Sequence, residues 1–153
     1  MIENVFINLP VTDLERSKAF YSALGWENNA DFSDANAASF QASDNIYVMV
    51  LNHDHYRNFT PKPIADPSVS GVINSLGVSE TAGVDELVEK AIAAGATENK
   101  AQDYGFMRTR SFDDPDGHTW EVMWMDPIAQ SGDWEAVQAK YPDMPPMPGA
   151  ETA

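Results

Sequence analysis

Three groups of side chains in this sequence could carry chemistry. Glu121 stands inside the apolar run Trp120-Glu121-Val122-Met123-Trp124. A carboxylate facing inward from such a run is costly unless it is paired or working. Glu121 is therefore the candidate acid or base, and the alternative is a carboxylate neutralised by Arg108 or Arg110 on a neighbouring strand. His53 and His55 flank Asp54, so in an extended chain they face the same way. That spacing would let them share a metal ion with Glu121 as the third ligand, but such histidines more often lie solvated at a loop start. His118, in the turn Asp116-Gly117-His118, fits a backbone-capping role better than a ligand role. Arg108 and Arg110 alternate with Met107 and Thr109, which points both to one face of a strand opened by Asp103-Tyr104-Gly105-Phe106. On a pocket wall they favour an anionic ligand; on the outside they balance neighbouring acids. There is no glycine-rich phosphate loop and no Gly-x-Ser-x-Gly elbow, and the absence of cysteine removes thiolate chemistry altogether.

The composition narrows the field further. The chain carries 24 acidic against 9 basic residues, a formal net charge of −15. Phosphate binding needs a basic face, so nucleic acid is not an expected partner. No apolar run approaches the roughly 18 residues that cross a bilayer, so no membrane partner is expected either. Met1-Ile2-Glu3-Asn4 has no basic lead into an apolar stretch, and the expected location is cytoplasmic. A length of 153 residues is that of one domain with its own core.

The elements that must position these residues come as two copies of one pattern. Val5 to Val11 reads as a buried strand. A helix follows, capped by Thr12 or Asp13, with Leu14, Ser17, Phe20, Tyr21 and Leu24 on one face and Gly25 as its stop. Strand-like stretches follow at Trp26 to Phe32, Ala37 to Ala42 and Ile46 to Leu51. The second copy runs from a strand at Val72 to Val78 into a helix at Glu80 to Ala94, whose apolar face is Val84, Leu87, Val88, Ala91 and Ile92. Gly95 stops it, and strands follow near Thr97 to Gln102, Phe106 to Phe112 and Thr119 to Met125. The fold class is α+β. The first repeat spans residues 1–53, the second 71–126, and a tail with one short helix occupies 127–153. Between the repeats, His53 to Ser70 has no periodicity. Tyr56, Phe59 and Ile64 within it imply a lid over a pocket or a partner rather than a solvated tether.

The phrase Leu9-Pro10-Val11-Thr12-Asp13-Leu14-Glu15-Arg16-Ser17-Lys18-Ala19-Phe20-Tyr21 with Leu24-Gly25 resembles the first strand and helix of the vicinal oxygen chelate superfamily, which groups glyoxalases, bleomycin-resistance proteins and extradiol dioxygenases. Phe112-Asp113-Asp114-Pro115-Asp116-Gly117-His118-Thr119-Trp120-Glu121 is similar to its closing turn and last ligand strand. The resemblance covers about Val5 to Asp126. It implies two βαβββ repeats forming a half-open mixed β-barrel around a pocket, with the helices outside. It places metal-ligand positions at Phe6, at Tyr47 or Val48, near Ile73, and at Glu121. Of these only Glu121 is a ligand residue, so no cofactor is expected. The pocket wall is assigned to Phe6, Asn8, Tyr47, Tyr104, Arg108, Arg110 and Trp120, although Trp120, with Trp26, Phe40 and Trp124, is more safely read as core than as a stacking platform. The implied function is a glyoxalase/bleomycin-resistance-like small-molecule-binding protein with a degenerate metal site. Its rivals are a metal-dependent lyase or dioxygenase of the lactoylglutathione-lyase kind, held together by Glu121, His53, His55 and Asn8, and sequestration of a toxic compound without turnover. The family and the apolar tail around Met144 and Met147 further imply a homodimer.

Overall fold

The computed structural model describes residues 1–145, so the expectation for Met147 falls outside the described residues. The first repeat runs β1 (Val5–Val11), α1 (Leu14–Ala23), β2 (Glu27–Asn29), β3 (Ala37–Ser43) and β4 (Ile46–Asn52). After a single helical turn, α2 (His53–Tyr56), the linker leads to β5 (Asn74–Gly77), α3 (Thr81–Ala93), β6 (Thr97–Asp103), β7 (Met107–Asp113) and β8 (Thr119–Met125). Each repeat forms its own four-stranded mixed sheet, in the orders β1-β4-β3-β2 and β5-β8-β7-β6. In each, the first strand lies parallel to the last and the other pairs are antiparallel. The duplicated βαβββ architecture expected from the sequence is thus borne out. The two sheets are separate and do not close into a barrel.

Local sequence explains most boundaries. Asp13 adopts extended backbone and its side chain accepts from the Arg16 N–H, which caps α1. Gly25 and Gly95 follow the two long helices with φ of 89° and 108°, a conformation that costs glycine nothing. The stretch read as strand from Trp26 to Phe32 is shorter than expected. Asn29 caps a 3₁₀ turn at Ala30–Phe32, and the strand ends there. Asn52 does the same for α2, where its side chain accepts from the His55 N–H. The edge strand β6, Thr-Glu-Asn-Lys-Ala-Gln-Asp, is exposed along its whole length, and its polar and charged residues discourage pairing with another sheet edge.

One core serves both repeats. Phe20 and Tyr21 of α1, Val84, Val88 and Ala91 of α3, Phe40, Val48 and Val50 of the first sheet, and Phe112, Trp120 and Val122 of the second share a single cluster. Each large side chain fully removed from water contributes about 1.5–3 kcal/mol. At its centre the Tyr21 hydroxyl donates to Asp114 at 2.5 Å and accepts from the Trp120 indole at 3.1 Å. The tail adds α4 (Pro127–Gln130) and α5 (Trp134–Lys140), which pack with Tyr104 and Phe106 in a second cluster. Met144 packs against that same cluster, so its contact lies within its own chain. Among the described residues no helix is long and apolar enough to cross a membrane.

Candidate functional site

The period-two alternation of β1, β3 and β4 divides the first sheet into two faces. Leu9, Val11, Phe40, Val48 and Val50 point to the helices. Phe6 and Asn8 of β1, Ser39 of β3, and Tyr47 and Met49 of β4 point the other way and line a cavity of about 690 Å³. Phe6 and Tyr47 are register partners on the parallel pair, and their rings stack at 4.9 Å and 14°. Phe6 is 56% exposed, so the stack presents its aromatic surface to the cavity. His55 and Phe59, from α2 and the residues after it, close one side and meet edge to face at 5.3 Å. Asp31, Phe32 and Asp34, from the turn between β2 and β3, close another. Backbone N–H groups of Asn36 and Ala37 donate to Asp34 and hold its carboxyl below the usual range.

The residues expected to meet at one pocket therefore separate. Phe6, Asn8 and Tyr47 line the cavity, which is built from the first repeat and the start of the linker alone. Arg108 and Arg110 do share a face, but it is the helix face. Asp85 of α3 bridges both at 2.8 and 2.9 Å, and Glu89 and Glu98 also bind Arg110. Trp120 is fully buried and belongs to the shared core. Tyr104 is packed under the tail. Glu121 lies in the second sheet on the face away from the helices, where the Ser75 hydroxyl donates to it at 2.8 Å. Neither arginine neutralises it, because both sit on the opposite side of that sheet. His118 caps as expected: its Nε2 donates to the Pro10 carbonyl at 2.7 Å.

The linker contributes to two cavities. Phe59, 69% exposed, stands at the rim of the large one. Tyr56 and Ile64 are half-buried and line a smaller cavity of about 280 Å³ between β1 and the Asp116-to-Thr119 turn. The sequence reading missed Asp31, Phe32, Asp34, Ser39 and Met49. Carrying the alternation from Phe6 and Asn8 into β3 and β4 finds Ser39 and Met49. The turn residues have no comparable periodic signal.

A divalent ion finds poor donors at the positions where the superfamily places ligands. Two of them form the Phe6–Tyr47 stack, and Ile73 is an exposed aliphatic residue ahead of β5. His53 and His55 lie on α2, beside the first sheet, whereas Glu121 is held in the second. Among the described residues no three His, Cys, Asp or Glu side chains group so as to hold a metal.

Comparison with known proteins agrees with this architecture. Residues 4–43 match the family described as bleomycin resistance protein-like N-terminal. A hypothetical protein from S. aureus, SA1046, is 29% identical, with a TM-score of 0.68 over 81% of this chain and 95% of its own. A glyoxalase-related enzyme from Fulvimarina pelagi is 21% identical, with a TM-score of 0.70 over 84% of this chain and 91% of its own. The fosfomycin resistance protein FosX from Mesorhizobium loti superposes with a TM-score of 0.64 at 18% identity, covering 86% of this chain and 99% of its own. No curated protein matches the sequence. The chain has the fold of the vicinal oxygen chelate superfamily, as its two motifs implied.

Proposed function

We propose that this protein binds a small organic molecule on the open face of the first sheet, without a metal ion, and that it does so as a homodimer. The observation that carries the reading is the Phe6–Tyr47 stack. An aromatic pair at the base of a cavity of about 690 Å³, with Phe6 exposed and Tyr47 half-buried, gains by burial against a ligand. The cavity size is that of a drug-sized molecule. The neighbours' names, a fosfomycin resistance protein and a glyoxalase-related enzyme, accord with a small-molecule role. Exposed Val5, Val72 and Ile73 supply apolar surface for a second copy.

Elemental analysis of the purified protein tests the metal part. Less than one-tenth equivalent of zinc, nickel, iron or manganese after gentle dialysis is expected. One equivalent that is lost in Glu121→Gln would replace this reading with a metal-dependent lyase or dioxygenase. Light scattering tests the assembly, and the expected mass is twice the 16.8 kDa of one chain. A monomer at tens of micromolar would contradict it.

A further inference from the structure

From the charge and aromatic lining of the same cavity, we infer that its ligand is a hydrophobic organic cation. This inference rests on the proposed binding role of the open face and adds the chemical class. Two carboxylates, Asp31 and Asp34, border the cavity, and its described lining holds no lysine or arginine. His55 is the one other titratable group there apart from Tyr47. Asp31 makes no side-chain ion pair among the described residues, so its charge faces solvent and cavity. Arg108 and Arg110, the cations that would have suited an anionic ligand, are bound to α3 acids on the far face of the other sheet.

Aromatic faces complement this charge. The stacked rings of Phe6 and Tyr47, with Phe32 and Phe59 at the rim, present π-surface that attracts a cation and apolar area that accepts its hydrocarbon. At the floor, Ser39 is 3% exposed and lines the cavity, and its backbone N–H donates to the Ser33 hydroxyl. A hydroxyl at the cavity floor can donate to or accept from a ligand group. The chain as a whole carries a charge of −15, which raises the local concentration of cations and repels anions. Shape, π-surface and field therefore select the same class: an aromatic or aliphatic body with a delocalised or quaternary positive centre.

A matched set of probes tests this by calorimetry: tetraphenylphosphonium, tetraphenylborate of the same size and shape, and neutral triphenylphosphine oxide. The cation is expected to bind roughly ten-fold or more tightly than the anion, with a preference that shrinks as salt is added. Asp31→Asn combined with Asp34→Asn should remove most of that preference and leave the neutral probe unchanged. Asp31→Asn alone, at a side chain with no structural bond to lose, should remove part of it. Phe6→Ala should weaken all the probes that bind. Equal or tighter binding of the borate, lost in Phe6→Ala, overturns the cation inference and leaves the pocket standing. Failure of all three probes to bind overturns both.

Discussion

The carboxylate of Asp116 accepts from the backbone N–H of Thr12 at 2.8 Å and from its hydroxyl at 2.7 Å, across 104 residues of chain. The same side chain, 5% exposed, accepts from Arg16 and Ser17 at 3.3 Å. The closing turn of the second repeat thus supplies a carboxylate to the start of the first repeat's helix, where the unpaired N–H groups and the helix dipole favour negative charge. Asp116→Ala removes the acceptor of four donors, two on Thr12 and one each on Arg16 and the buried Ser17. It should cost roughly 2–3 kcal/mol of unfolding free energy, measured by urea denaturation, and Asp116→Asn should cost less. A loss within the scatter of a surface substitution would mean that the turn does not join the repeats.

The Tyr21 hydroxyl sits between Asp114 and the Trp120 indole in the shared core. Tyr21→Phe strands both partners and should cost about 1–3 kcal/mol at neutral pH. Burial, reinforced by the nearby Asp114 carboxylate, pushes the phenol well above its ordinary range. Its neutral form therefore supports the fold fully below about pH 10, and that support is lost as pH rises further. Urea midpoints should fall above that pH in the native protein and fall less steeply in Tyr21→Phe.

Asp126 anchors the tail. Lys140 and the Tyr141 hydroxyl bind its carboxylate at 2.6 and 2.5 Å, and with the Ile128 N–H they lower its pKa to about 2. A depressed carboxyl contributes above its unfolded pKa of about 4, and that contribution is lost as pH falls toward 2. Trp134, packed edge to face on Phe106 at 5.6 Å, should report tail release by fluorescence in that window. Asp126→Asn should show a loosened tail already at neutral pH and no such transition below it.

Much of the fold was legible in the sequence because its signals are local. The Asp13 cap, the glycine stops and the two apolar helix faces each depend on a few neighbouring residues. The repeat was legible because one pattern of elements occurs twice. Side-chain partners across the fold were not. Alternation correctly set Arg108 and Arg110 on one face, but period two cannot say which face meets the helix. Asp85 and Glu89 of α3, one helical turn apart, decide it. Glu121 stands out from its apolar neighbours in the sequence, but its partner Ser75 comes from a strand 46 residues away. Asp31 and Asp34 were missed because a capped turn, not a periodic strand, carries them to the cavity.

The central claim is that the ligand site belongs to the first repeat and needs no metal. Triphenylphosphine oxide binding, measured by calorimetry with and without a chelator, tests it most directly on the native protein, Phe6→Ala and Glu121→Gln. The account predicts an affinity indifferent to the chelator and to Glu121→Gln, and weakened roughly ten-fold in Phe6→Ala by the loss of the aromatic stack. Binding that disappears with the chelator or with Glu121→Gln, and survives Phe6→Ala, would contradict it.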